Sequence, residues 1–258
     1  MNLSRVYAIV LRHYYLTIHQ LERASDLFLF PILGLVLWGI FAVAFKDQFS
    51  SFVLFLVGGM ILWVVFERVG TGIGIDFMWD VWERNLINVM ASPITLFEYI
   101  SGLVAVSVVK VVVSFFAMWV VASLLFGFSI SSFGFSLAAF WINLVIFAVV
   151  LGIFNVSIVM RFGNTVGPLT WILPFMIQPF AAVFYPISVL PPLVQKAVWF
   201  LPISHVFEGM RYTFEHKSFN SSEFLIAFVL NVVYFVLVLI FFAYMLNLVK
   251  RKGTLVKL

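Results

Sequence analysis

Cysteine is absent from the 258 residues. Disulfides and thiolate metal sites are thereby excluded, and the compartment cannot be read from redox chemistry. Charge is scarce: Asp, Glu, Lys and Arg make up 10% of the chain, against about 25% in an ordinary soluble domain. With hydrophobic residues at 64%, the composition argues against a water-soluble globule. The net charge of +4 does not point to nucleic acid, because most basic residues flank apolar runs. The first 22 residues lack the compact charged, apolar and cleavage regions of a signal peptide. No G-x-x-x-x-G-K-[ST] phosphate loop occurs, so the chain is not expected to hydrolyse ATP by itself. No G-x-S-x-G nucleophile elbow occurs either. Of four histidines, His205 forms H-x-x-E with Glu208, without the paired i,i+4 histidines of a zinc helix, and no metal site is expected.

What is present is a series of continuous apolar runs near or above the ~20 residues a helix needs to cross a bilayer. A spanning β-barrel has short alternating segments instead. The expected fold is therefore an all-α membrane protein with six transmembrane helices in a single transmembrane domain over 1–258. Residues 1–24 hold an interfacial helix. In it Leu3, Tyr7, Val10, Tyr14, Ile18 and Leu21 recur on one face and Arg5, Arg12 and His19 on another, a pattern that settles at a lipid surface.

The first span is expected from Leu27 to Phe45, capped by Asp26 and with Pro31 near its start. Lys46, Asp47 and Gln48 form a polar turn. The second span runs from Phe52 to Ile73, and its glycines at 58, 59, 70, 72 and 74 allow close helix approach. Residues 76–93 are too polar and short to span. Asp80 and Glu83 resemble a capping box there, and Pro93 is a stop, which predicts a helix of three turns with Trp82, Leu86, Val89 and Met90 on one side.

Thr95 and Glu98 make a second capping box that opens the third span, Leu96 to Phe126. A Gly/Ser turn from Gly127 to Gly134 precedes the fourth span, Phe135 to Met160. After a turn at Arg161–Asn164, a fifth span from Thr165 to Phe184 carries Pro168, Pro174 and Pro179, each of which removes a donor and kinks a helix. Residues 185–222 are too rich in proline to span and too apolar for a solvated loop. Backbone of that kind is tolerated at membrane depth only where protein buries it or it lines a cavity. Pro192 starts one short helix there, Pro202 ends it, and Glu208 and Arg211 can pair at i,i+3. Asn220-Ser-Ser222 matches a glycosylation sequon, a weak signal. The sixth span runs from Phe224 to Leu248.

Lysine and arginine in short loops set orientation. With the N-terminus cytoplasmic, one side carries Arg5, Arg12, Arg23, Arg84, Arg161, Lys250, Arg251, Lys252 and Lys257; the other carries Lys46, Lys196, Arg211 and Lys217. This bias puts both termini and residues 76–93 inside and residues 185–222 outside. Three charges fall within spans: Glu67, Arg68 and Lys110. A charge at the bilayer centre costs about 2.5–3.5 kcal/mol on insertion scales, so a Glu67–Lys110 pair between the second and third spans is expected, with a structural rather than a transport role.

Two motifs carry a family resemblance. Tyr185-Pro186-Ile187-Ser188, Leu190-Pro191, Leu201-Pro202 and Glu208-Gly209-x-Arg211 resemble the external signature of type-2 ATP-binding-cassette (ABC) export permeases. Trp82-Glu83-Arg84-Asn85-Leu86 through Ala91-Ser92-Pro93, followed by Glu98-Tyr99 and Gly102, resemble the cytoplasmic coupling region of the same family. The resemblance covers nearly the whole chain. It implies a second permease subunit, as homodimer or heterodimer, with the pathway at their interface. It also implies separate cytoplasmic ATPase subunits that bind ATP and Mg, so that this chain needs no cofactor of its own. Asp80, Trp82, Glu83, Arg84 and Leu86 are then the implied ATPase contacts. The second and fifth spans are implied to line the pathway, and residues 185–222 to re-enter the membrane as a helical pair.

The function so implied is that of the membrane subunit of an ATP-driven exporter in the cytoplasmic membrane. The abundant aromatics (32 Phe, 8 Trp, 8 Tyr) suit an amphiphilic or apolar cargo, such as a drug, a lipid or a lipid-linked glycan. A polysaccharide exporter is the alternative within the class. An ion-coupled transporter or a channel is the alternative outside it, though no inverted internal repeat supports the former.

Overall fold

The computed structural model describes residues 1–45, 52–128 and 134–252. The expected Lys46–Gln48 turn, most of the Gly/Ser turn after Phe128 and the basic Lys257 lie outside these residues. Ten α-helices follow in chain order among the described residues: α1 Leu3–His19, α2 Leu21–Ala44, α3 Phe52–Trp82, α4 Leu86–Ala91, α5 Leu96–Phe126, α6 Gly134–Phe162, α7 Leu169–Ile177, α8 Pro192–Val198, α9 Pro202–His216 and α10 Ser221–Lys252. Short 3-10 turns at Gly163–Val166, Gln178–Phe180 and Ile187–Val189 join the later ones.

Five helices, α2, α3, α5, α6 and α10, are long and apolar enough to cross a membrane. They divide into two kinds. The spanning windows of α3 and α6 are 72% and 67% buried within the protein, whereas those of α2, α5 and α10 are 22%, 28% and 17% buried. Apolar side chains surround α3 and α6 because protein surrounds them. The other three turn wide apolar faces outward, with Leu37, Ile40, Phe116, Leu124, Val229 and Ile240 all exposed. The core lies where α3 packs on α6, flanked by α5 and α2 on one side and by α10 and α9 on the other.

Helices without water between them rely on close packing and a few polar contacts. The α3 glycines supply the packing. A Cβ at Gly70 would lie 3.1 Å from Leu151 of α6, one at Gly72 3.2 Å from Ser107 of α5, and one at Gly74 2.7 Å from Thr170 of α7. The polar contacts include Asn231 of α10, which donates to both the backbone and side-chain oxygens of Asn143 on α6 at 2.9 Å, and Ser114 of α5, which donates to the Leu27 carbonyl of α2 at 2.6 Å.

Four expectations need correction. First, α2 begins at Leu21, so Asp26 lies inside it and Pro31 well along it. Asp26 does not cap; it accepts a hydrogen bond from Arg68 of α3. Second, the second span does not stop near Ile73. It runs unbroken to Trp82, and the separate helix shrinks to the six residues of α4. Asp76 and Asp80 looked like an exit from the membrane, but partners on other helices neutralise them. Third, the fifth span is not one helix. Its prolines break it into a 3-10 turn, α7 and a second 3-10 turn, and Leu169–Phe180 is too short to count as a spanning helix. Fourth, the basic face of α1 is not free for lipid: Arg5 pairs with Glu98 and Arg12 with Asp80. The opposite face does remain exposed, through Leu3, Tyr7, Tyr14 and Ile18.

The broken segment nevertheless runs along the middle of α3. Near one end of α3, Gly74 packs on Thr170; near the other, Gly59 packs on the Val183 carbonyl. Fifteen helical residues separate the two glycines, a rise of about 22 Å. Aromatic stacking marks both ends of this path, with Trp82 on Trp171 (centroids 6.2 Å) and Trp38 on Phe184 (5.1 Å).

Candidate functional site

Two aspartates one helical turn apart, Asp76 and Asp80, organise the first cluster. Both are buried, at 3% and 1% exposure, and a buried carboxylate persists only when paired and hydrogen-bonded. Asp76 receives Lys110 of α5, whose Nζ lies 2.8 and 3.1 Å from the two carboxylate oxygens. Arg23 of α2 donates to it at 3.3 Å, and His13 of α1 lies 3.7 Å away. Asp80 receives the Arg12 guanidinium through both terminal nitrogens, one at 2.8 Å. It also accepts from the Tyr99 hydroxyl and, at 3.3 Å, from Asn85. Residues from α1, α2, α3 and α5 thus meet on two carboxylates. α3 has 31 residues and is about 46 Å long, some 16 Å more than a hydrocarbon core.

The α1 groups respond electrostatically. The hydrogen bond to Asp80 holds the Arg12 guanidinium pKa above its usual value, against the opposing effect of burial. Burial pushes the His13 ring down to about 4, so His13 is neutral, although Asp76 pulls the other way.

Immediately beyond Asp80 the chain turns outward. Trp82, Glu83 and Arg84 are exposed, as are Ile87 and Asn88 on α4, while Leu86 and Val89 are buried and anchor α4 to the core. Arg84 takes a left-handed φ of 54°, which ends α3. The turn stays mechanically tied to the cluster: Asn85 reaches Asp80, and Glu83 lies 3.6 Å from Arg23. The Thr95–Glu98 capping box forms as expected and opens α5 at Leu96. Glu98 also accepts from the Asn2 backbone at 2.7 Å and from Arg5 at 3.4 Å, pinning the start of α1 there.

Of the expected contact residues, Trp82, Glu83 and Arg84 are surface groups. Asp80 and Leu86, at 1% and 2% exposure, are interior and unavailable to a partner. The expected Glu67–Lys110 pair does not form. Lys110 binds Asp76, and Glu67 pairs instead with its neighbour Arg68, at 3.2 Å. Spacing did not single out Asp76, Arg23, Tyr99 or His13. The available signal was the pair of acids at i,i+4 on a helix that also had to bury an apolar surface.

The second cluster is the segment from Tyr185 to Arg211. Pro192 and Pro202 each stand at the first position of a helix, α8 and α9, where a missing N–H costs nothing. Glu208 and Arg211 pair at 2.7 Å and also hold the chain before α8. Glu208 accepts from the Ile187 backbone at 2.6 Å, and Arg211 donates to the carbonyls of Ala182 and Tyr185 at 2.9 and 2.8 Å. The Tyr185 hydroxyl closes the loop on the Pro179 carbonyl. Gly209 has a reason to be glycine: a Cβ there would lie 2.3 Å from the Phe140 ring of α6. His205 hydrogen-bonds through its two ring nitrogens with Glu223 of α10 (2.6 Å) and the Trp199 carbonyl (2.7 Å), not with Glu208. Burial opposes a charge on this ring, but those bonds outweigh it and raise its pKa.

The family model for ABC-2 type transporters matches residues 4–214. The chain belongs to the ABC-2 type transporter family. No curated protein matches it. An ABC-2 permease is a multi-pass membrane protein and a transmembrane subunit of an ABC transporter, not its ATPase. The matched stretch contains both clusters and ends just beyond α9's Glu208–Arg211 pair. α10, which follows it, packs against α6 and α9.

Proposed function

We propose that this permease is the membrane half of an ATP-driven exporter, working as a dimer with separate ATPase subunits that bind ATP and Mg. The observation that carries the reading is the exposed Trp82–Arg84 turn, continuous with α3 and bonded to the Asp76–Asp80 cluster. A push on that turn reaches α1, α2, α3 and α5 together, because all four contribute to the cluster. The surface side chains Trp82, Glu83, Arg84 and Ile87 are the proposed ATPase contacts.

In this reading residues 163–184 complete a sixth, broken crossing. The run of about 22 Å along α3 supports it, approaching the ~30 Å of a bilayer core. Six crossings put both termini on the same side, which the lysine and arginine bias makes the cytoplasm. The α8–α9 segment then caps the pathway outside, braced by Glu208 and Arg211. The outward apolar faces and exposed aromatics support an amphiphilic cargo.

The test is reversal of the turn's charges, Glu83→Lys with Arg84→Glu, in the assembled transporter. Loss of transport-linked ATP hydrolysis or of ATPase association, with the permease still folded, is expected. Unchanged association and unchanged coupling would count against the assignment.

A further inference from the structure

A cavity of about 180 Å³ opens between α2, α3, α5 and α7, beside the Asp76 cluster. Its wall is charge-balanced: Arg23, Arg68 and Lys110 stand against Glu22, Asp26 and Asp76. The hydrogen-bonding capacity is not balanced. Among the described residues, the buried side-chain atoms of this wall that lack a hydrogen-bond partner are Arg23 Nη2, Arg68 Nε and Ser107 Oγ. All three can donate; Arg68 Nε already faces the Glu67 carboxylate at 3.2 Å, and Arg23 Nη2 lies 3.6 Å from that of Glu83, beyond hydrogen-bond reach. Lys110 adds a third ammonium proton beyond the two that meet Asp76. Ser107 is 2% exposed and Arg23 7%, so neither reaches bulk water.

The remainder of the wall is apolar and aromatic, including Leu27, Phe30, Trp79 and Trp171. Phe30 and Trp171 are exposed on the outer surface, at 57% and 39%, where an acyl chain can lie against them. The acids at the rim, Glu22 and Asp26, are exposed as well.

We propose that this cavity binds the head group of a zwitterionic phospholipid. Its phosphate accepts from Arg23, Lys110 and Ser107. Its ammonium faces Glu22 and Asp26, which keeps the occupied wall neutral. The chains leave along Phe30 and Trp171. Occupancy would fasten α2 to α5 beside the cluster that also holds α1. The proposal makes no use of ATP-driven export, and equilibrium binding tests it separately.

The experiment titrates the delipidated full-length permease in detergent, read by native mass spectrometry. The probes are dioleoyl phosphatidylethanolamine, dioleoyl phosphatidylglycerol, dioleoylglycerol and glycerophosphoethanolamine. Phosphatidylethanolamine is expected to bind one-to-one, at least about ten-fold more tightly than each of the others. Ser107→Ala is expected to weaken it about three-fold. Arg23→Lys keeps a cation beside Asp76 but removes the Nη2 donor, and is expected to weaken it about ten-fold. Both variants should leave dioleoylglycerol binding unchanged, which separates head-group loss from misfolding. Equal affinity for dioleoylglycerol would overturn the head-group site, and equal affinity for phosphatidylglycerol would overturn the zwitterion. Equal affinity for glycerophosphoethanolamine would replace the lipid by a soluble phosphate ester.

Discussion

Lys110 of α5 binds both carboxylate oxygens of Asp76 on α3, at 2.8 and 3.1 Å. The contact reaches back along α5 rather than straight across. Tyr99 meets Asp80, and Ser107 packs on Gly72, so the antiparallel register sets Lys110 nearly level with Glu67. Helical side chains lean toward their own N-terminus. On α5 that direction leads to Asp76 and away from Glu67.

Removing one partner of a buried pair strands the other charge, at about 3–5 kcal/mol. Lys110→Met alone should therefore lower the thermal midpoint of the detergent-solubilised permease sharply, with Arg23 compensating in part. Lys110→Met with Asp76→Leu should be milder than the sum of the single changes. A thermal-shift double-mutant cycle checks this, and strict additivity would mean that the pair carries no coupling.

Tyr99→Phe deletes one donor to Asp80 while preserving the ring, with an expected loss of about 1–3 kcal/mol for a charged, buried hydrogen bond. Arg12→Met should cost more and release α1. Hydrogen exchange over Leu3–His19 reads the release directly. Faster exchange there, without change in α6, is the expected result.

How much of this was legible in the sequence depends on the range of each interaction. The capping box at Thr95 and Glu98 is local, and α5 begins and ends where spacing placed it. The start of α8 at Pro192 and the Glu208–Arg211 pair are local too, whereas Pro202, expected to end α8, opens α9 instead, α8 having stopped at Val198. The continuity of α3 past Ile73 was not legible. It depends on Arg12, Arg23, Tyr99 and Lys110 arriving from three other helices to neutralise Asp76 and Asp80. Hydropathy gives a residue's depth along a helix but not the direction in which its side chain reaches, and the expected Glu67–Lys110 pair failed for that reason.

Gly209→Ala should strain the contact between α9 and α6. The Phe140 ring it would meet is fully buried and held between Phe219 and Phe224, so it has little room to move. Overpacking of this kind costs about 1–3 kcal/mol. Phe140→Leu in the same chain should recover most of the loss in a thermal-shift assay.

The two buried histidines should respond to pH with opposite sign. His205 has acceptors on both ring nitrogens, Glu223 and the Trp199 carbonyl, so the protonated ring satisfies both. Its raised pKa means the α9–α10 clasp is fully present below the unfolded value of about 6.5 and is lost as pH rises through the folded value. His13, lowered to about 4 by burial, stabilises above about 6.5 and loses that contribution as pH falls toward about 4. Hydrogen exchange across pH 4–9 should show residues 199–223 loosening at high pH and α1 loosening at low pH. His205→Gln should flatten the first response only.

The absence of native cysteine permits a direct test of the coupling turn. Ile87 is 48% exposed on α4, and Val189 is 67% exposed in the turn before α8. Single-cysteine variants Ile87→Cys and Val189→Cys would each carry a short photo-crosslinker in the assembled transporter. The account predicts an adduct with the ATPase subunit from position 87 and none from position 189. An adduct from position 189, or none from position 87 in a complex that still contains the ATPase, would contradict it.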